Sequence, residues 1–238
     1  MRKIILFAFL LLSVTKSNSQ DNIKIEVPTV GQLGKGSIIK DYEKVSKFFI
    51  SANYGLGYRT AKISKGITPA LRDYVKDLKS GNSLDIEFGF RKDLHTSYSL
   101  IYSRFNSTGS IGNIAYTEPN GFQGFGSVSD NIKINFYGVG GAFNDRGIRK
   151  EDTVILAVYL GYIQYTNDVK FTNEYKITSG NIGINSKITH YFGITPSIKV
   201  GPTFAFGGSV LRKFNIEGNG FKDSYELEDD NLESLYRI

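Results

Sequence analysis

The 238-residue sequence predicts an all-β fold, an antiparallel up-and-down transmembrane β-barrel of about eight strands, on three observations. Residues 47–59, KFFISANYGLGYR, carry apolar side chains at every even position (Phe48, Ile50, Ala52, Tyr54, Leu56, Tyr58). The odd positions are mostly small or polar (Ser51, Asn53, Gly55, Gly57, Arg59), with Phe49 the exception. Period-two alternation over that length is a strand with one apolar and one wet face, and it approaches the ~9–11 residues that cross a bilayer at a tilt. The pattern recurs along the chain. Composition agrees: 26 glycines against 5 prolines, with 15 Tyr, 17 Phe and no Trp, suit a strand-rich protein with Tyr and Phe belts. The third observation is an export signal at the amino terminus.

Residues 1–19 read as that signal, with Arg2 and Lys3 before an apolar core from Ile4 to Leu12, and Ser17-x-Ser19 before a cut ahead of Gln20. The core falls short of the ~20 residues of a spanning helix, and no later run compares with it. With no cysteine, the chain excludes disulfides, thiolate metal sites, a cysteine nucleophile and a lipidated cysteine. Arg2, Lys3 and Lys16 lie in the signal, so the formal +6 falls to +3 on its removal, too little to argue for nucleic acid.

Residues 20–46 read as a periplasmic lead-in, with a short extra strand through Ile23, Ile25 and Val27 as the alternative. Residues 47–238 are the barrel domain. In the first long connection, Thr68 is placed to cap a short helix with Pro69 at its start; Leu71, Tyr74, Val75 and Leu78 follow helical spacing and Gly81 stops it. Packing against its own external loop is the expected role.

The second strand, 83–91, sets Leu84, Ile86, Phe88 and Phe90 against Ser83, Asp85, Glu87, Gly89 and Arg91. The third, 96–105, is less clean, with Arg104 on the apolar parity and Ile101 on the wet one. Residues 106–130 read as a long Gly/Ser/Asn-rich loop. A fourth strand follows with Ile132, Ile134 and Phe136 as its apolar face and Lys133 on its wet face, and 138–152 is a connection. The fifth, 153–165, has Val154, Leu156, Val158, Leu160 and Tyr162 on one side and an unusually apolar other side. After a loop at 166–176 come a sixth strand at 177–191 and a seventh at 195–207, where Pro202 implies a weak ladder or a bulge. Residues 208–233 read as a polar loop, and 234–238 begin another strand.

Alternation alone does not say which face is outside, because a soluble lipocalin-like ligand-binding barrel alternates too. Here the wet face is rich in Gly, Ser, Ala, Asn and Thr, which fit a cramped lumen, whereas a soluble exterior needs more Lys and Glu. The apolar face is large and aromatic, and long connections alternate with shorter ones, as lipid-facing barrels require.

The stretches ANYGLGYR, DIEFGFRKDL, SLIYSRF, NIKINFYG and SIKVGPTFAFG resemble the small outer-membrane β-barrel proteins of Gram-negative bacteria, broadly the OmpA-like transmembrane domain and its relatives. The resemblance covers about residues 47–238 and rests on repeated patterns rather than one diagnostic motif. It implies the cell outer membrane, outer-membrane lipid, lipopolysaccharide and the barrel-assembly machinery as partners, and a monomer. Such families end in a strand closed by an aromatic residue. This chain departs from them at Leu235-Tyr236-Arg237-Ile238, where a closing strand only begins, so the expectation is a truncated final strand.

No catalytic, cofactor or metal site is expected. His95 and His190 fall in periplasmic turns, away from the external side where barrel enzymes of the resembled class carry their chemistry, so Thr189 or Ser186 beside His190 is discounted as a nucleophile. The wet-face charges Arg59, Asp85, Glu87, Arg91, Lys133 and Lys199 carry the main site expectation. They share a narrow lumen, must pair there, and form an ion-pair plug rather than a gated path. The acidic run at 223–233 lacks EF-hand spacing and reads as a solvated loop. Gly55-Leu56-Gly57 and the glycines from 138 to 141 precede no helix and are not nucleotide loops. The expected function is a structural, adhesive or surface-binding barrel working through its external loops, with a narrow, porin-like channel for small solutes as the alternative.

Overall fold

The computed structural model describes residues 12–16, 46–60, 68–117, 121, 123–146, 152–195, 197–227 and 233–237. Among them the strands are β1 (Leu12–Lys16), β2 (Phe48–Tyr58), β3 (Ser80–Arg91), β4 (Thr96–Thr117), β5 (Gln123–Arg146), β6 (Thr153–Lys170), β7 (Glu174–Thr195), β8 (Ile198–Val200), β9 (Thr203–Leu211), β10 (Lys213–Gly218), β11 (Phe221–Glu226) and β12 (Glu233–Arg237). One helix, α1 (Pro69–Asp77), lies between β2 and β3.

From β2 to β7 each strand pairs antiparallel with the next, giving an up-and-down barrel wall. β8 and β9 both pair with β7 and act as two halves of one stave. The break at 201–202 is where Pro202, with no N–H to give, meets the ladder, although its carbonyl still accepts from His190 N at 3.1 Å. β12 pairs with residues 207–211 of β9. β1, inside the expected export signal, pairs with residues 50–54 of β2 and touches β8 at 198–199. The strand-like Ile23, Ile25 and Val27 lie outside the described residues.

Several strands run far beyond their expected ends. The expected loop at 106–130 is the upper half of a hairpin, with β4 reaching Thr117 and β5 starting at Gln123. Residues 138–146 are strand rather than connection, 166–170 and 174–176 extend β6 and β7, and 208–226 supply the end of β9 and the β10–β11 hairpin. Gly, Ser, Asn and Lys mark a turn when they replace an apolar face. Here they replace it because the outer face of the wall has left the apolar belt.

Side-chain exposure shows where that belt ends. In the lower wall the apolar parity points outward: Ile50, Tyr54, Phe88, Leu100, Val158 and Phe204 are exposed, Phe204 at 72%. The polar parity is buried, with Ser103 and Thr189 at 0%. A directly paired row of Tyr102, Tyr137 and Tyr162 tops this belt. Above it the same strands reverse their chemistry. Arg104, Asn135 and Gln164 share the outward parity, and Phe105, Ile132, Ile134, Phe136, Ile163 and Tyr165 are buried inside. The assignment of Ile132, Ile134 and Phe136 to the lipid face is therefore corrected: they form an internal core, and Lys133 points outward. The irregular third strand is irregular because the reversal occurs along it.

Helix α1 forms as its spacing requires. Thr68 takes the extended N-cap conformation and Pro69 opens the helix, but the Thr68 side chain makes no cap hydrogen bond. The helix does more than pack on its own loop. Tyr74 and Leu78 enter the internal core, and a Cβ added at Gly109 of β4 would meet Leu78 Cδ2 at 3.0 Å. No helix among the described residues is long and apolar enough to cross a membrane, which says nothing about strands.

Candidate functional site

Alternation along β3 turns Asp85 and Glu87 inward, against Asn53 and Ser51 of β2 and Ser103 and Ile101 of β4. Glu87 is the hub. Its Oε1 accepts from Ser99 Oγ at 2.6 Å and from Tyr159 Oη at 2.7 Å, and its Oε2 accepts from Lys187 Nζ. The side chains of Lys187 and Glu87 are 2% and 4% exposed. The Lys187 ammonium also lies 5.7 Å from the Tyr159 ring centroid, adding a cation–π contact to the ion pair. Two ions are removed from water here, and attraction offsets that desolvation only because both carboxylate oxygens are occupied.

Hydroxyls and amides surround the hub. Asp85 accepts from Ser103 Oγ, Ser51 and Tyr191 share a hydrogen bond at 2.9 Å, and Thr189 and Thr203 share another at 2.9 Å. Thr203 also donates to Asn53 Oδ1 at 3.2 Å. Below them the Phe49 ring turns inward and covers Gly89, its paired neighbour on β3, where a Cβ would sit 2.2 Å from Phe49 Cζ. Arg91 lies over that ring at 4.9 Å and donates to the Ser46 carbonyl at 2.9 Å. Phe49, the odd member of its strand by pattern, is a lumen filler. Above the hub comes the apolar core, and above that α1, where Tyr74 Oη donates to Asp130. Burial, helped by that hydrogen bond to Asp130, raises the Tyr74 hydroxyl well above the ordinary phenol value, so it stays a donor.

The six expected lumen charges do not all face the lumen. Asp85 and Glu87 face the lumen centre, Arg91 closes its lower end, and Arg59 is buried at the end of β2. Lys199 donates to Thr153 Oγ1 at 2.7 Å, away from Glu87's partners. Lys133 is outside, paired with Asp168 at 2.9 Å. The partner that pattern reading missed is Lys187. It shares its parity in β7 with Asn185 and Thr189, both buried, and that alternation was the signal available.

Histidine chemistry finds no support in the geometry. Thr189 points inward, whereas Ser186 lies four residues from His190 along one strand face, about 13 Å at the usual strand rise. His190 instead approaches Asp152 at 3.7 Å and Phe192 at 4.4 Å between centroids. His95 faces the Asn144 carbonyl at 3.1 Å, and Asp93 accepts from the backbone N–H groups of His95 and Thr96, both at 2.8 Å. Those two donors hold the Asp93 carboxyl below the usual carboxylate range. Among the described residues no group of three or more His, Cys, Asp or Glu gathers as a metal site.

No protein-family model and no curated protein matches the sequence. Among solved structures the chain is similar to the outer membrane protease OmpT from Escherichia coli, with a TM-score of 0.41, 9% identity, and 96% of this chain covered against 89% of that one. It is also similar to Ail, the attachment invasion locus protein of Yersinia pestis solved with the heparin analogue sucrose octasulfate. There the TM-score is 0.26 and the identity 10%, with 82% of this chain and 100% of that chain covered.

Proposed function

We propose that the chain is a monomeric outer-membrane β-barrel of a Gram-negative bacterium, exported by cleavage of residues 1–19, with a structural, adhesive or surface-binding role. The observation that carries this is the inverted lower wall: an exposed belt including Tyr54, Leu100, Val139 and Leu160 around a core of Ser, Asn, Thr, Glu and Lys. In water that arrangement loses on both faces; in lipid the belt is solvated, and the Glu87 hub of the polar core finds its partners internally in Ser99, Tyr159 and Lys187. The lumen is filled at three levels, by Phe49 with Arg91, by Glu87 with Lys187, and by the apolar core under α1. Specificity then belongs to the wall and hairpins above the belt, and no catalytic role is assigned.

The experiment is migration of the membrane fraction on SDS gels, unheated and boiled, followed by planar-bilayer conductance. A heat-dependent shift with no steady conductance is expected. A soluble protein without the shift overturns the membrane reading, and stable single-channel steps move the reading to a narrow channel.

A further inference from the structure

We propose that the inner face of the upper wall, beside α1, binds a small apolar primary amine in its protonated form; this rests on the membrane and surface-binding reading above. The site is built on Asp130 of β5 and Asn167 of β6. Both point inward, since they share their parity with the buried Ile132, Ile134, Ile163 and Tyr165. Asn167 Nδ2 donates to Asp130 Oδ1 at 2.5 Å, and Tyr74 Oη donates to Asp130 Oδ2. Both donors are neutral, so the Asp130 carboxylate has no ion pair among the described residues. Asn167 is 7% exposed, and its Oδ1 accepts no hydrogen bond. A half-buried anion without a counter-ion and a buried acceptor without a donor thus flank one hydrogen bond. Each is costly until it is satisfied. An alkylammonium answers both, giving its charge to Asp130 and an N–H to Asn167.

The surrounding inner face is apolar and aromatic. Across the sheet Asp130 is followed by Val169 and Tyr175, and Asn167 by Ile177 and Ile216. Above them Tyr116 and Phe171 meet edge-on at 5.1 Å between centroids. These rings lie on the inner surface. An inward Cβ at Gly124, Gly126 or Gly218 would come within 3.1 Å of Tyr116, 2.7 Å of Phe171 or 2.9 Å of Tyr175. Val169, Phe171 and Tyr175 keep part of their surface open. Aromatic faces attract a cation, and apolar walls take its hydrocarbon. Within residues 123–132, 165–170, 174–179 and 213–226 no Lys or Arg stands on the inner parity, whereas Asp223 does. The sheet therefore offers no base of its own to Asp130 there. A calcium ion needs about 6–8 oxygen ligands, more than this apolar surround supplies. Val169 separates Asp130 from Tyr175 by two strand spacings, about 10 Å, which a phenethyl group spans with its ammonium at Asp130.

The test uses the full chain in phospholipid nanodiscs, with empty discs as background, and three probes of one shape. They are phenethylammonium, its N-trimethylated form and 2-phenylethanol, and titration calorimetry reads their affinities. The trimethylated probe keeps the charge but has no N–H; the alcohol keeps a donor but has no charge. Each is expected to bind about tenfold more weakly than the amine. Asp130→Asn is expected to bring the amine down to the alcohol, and Asn167→Leu to bring it down to the trimethylated probe. Glu217→Gln, which removes an exposed acid from the outer face, is expected to change nothing. Equal binding of the three probes by wild type overturns the proposal, and that outcome requires no variant to fold. A loss in Glu217→Gln as large as in Asp130→Asn also overturns it. A lysine side chain presents the same ammonium, so a Phe-Lys dipeptide blocked at both ends is run beside the free amine. Tighter binding of the dipeptide supports the site with a peptide as its ligand, and tighter binding of phenethylammonium supports it with a free amine. Failure to enter the discs overturns the membrane reading, whereas insertion without amine binding overturns only this site.

Discussion

Glu87 and Lys187 are worth more to each other than to the fold. Removing one partner strands the other charge in the lumen, so Glu87→Ala or Lys187→Ala is expected to cost about 3–5 kcal/mol in urea unfolding from detergent micelles. Glu87→Leu with Lys187→Met together is expected to be near neutral, because the desolvation penalty disappears with both ions. A double variant as unstable as either single one sinks this account. Gly89 belongs to the same scale. A Cβ there meets the Phe49 ring rather than a flexible chain end, so Gly89→Ala is expected to destabilise by about 1–3 kcal/mol, with Phe49→Leu restoring most of the loss. Asp85 and Glu87 were legible from period-two alternation alone, as was the burial of Arg59. Pairing was not, because which inward residue meets Glu87 depends on how the curved wall brings β3, β6 and β7 together, and no local pattern encodes that.

The elements differ in how far their pattern reports their environment. β2 lies wholly within the apolar belt, so one alternation described it from end to end. β4 and β5 leave the belt part-way, and there apolar side chains move to the inner face while polar ones take the outer face. Each half of such a strand alternates correctly, but one rule applied to the whole length misassigns half of it. That is why Ile132, Ile134 and Phe136 were placed in lipid. A bulge between Ile111 and Ile114, with Asn113 at φ 56°, adds an extra residue near the hairpin tip and makes it read as loop. Helix α1 was legible as a helix, since Pro69 and the Leu71–Tyr74–Val75–Leu78 spacing are local. Its docking was not legible, because Asp130 comes from a distant strand. The docking has a pH signature. An undocked Tyr74 ionises near the ordinary value of about 10, while the docked hydroxyl has a raised value. The contact is therefore fully present below pH 10 and lost as pH rises above it. Protection of the α1 amides, taken relative to their intrinsic hydroxide-catalysed exchange, is expected to fall above pH 10 in wild type and to show no such fall in Tyr74→Phe.

At the scale of the whole molecule the two halves of the wall demand different solvents, and that demand can be measured along a single strand. Val158 and Gln164 both lie on the outward face of β6, six residues apart, on either side of Tyr162. Val158 sits in the middle of the outward series Leu156, Val158, Leu160 and Tyr162, and is 59% exposed with no aqueous function to explain it. If lipid surrounds that series, Val158→Arg places a guanidinium near the bilayer midplane and is expected to cost about 2–4 kcal/mol on folding into vesicles. Gln164→Arg places the same group beside Arg104 and Asn135 above the tyrosine row, where the expected cost is about 0–1 kcal/mol. The position, not the residue, sets the difference, because strand, face and substituted side chain are held constant. Equal costs at the two positions mean that the belt does not face hydrocarbon. A larger cost at Gln164 than at Val158 means that the wall crosses the membrane at another level. The expected order, with Val158→Arg much the worse, fixes the bilayer edge between Tyr162 and Gln164 and leaves the Arg104 row in the headgroup layer.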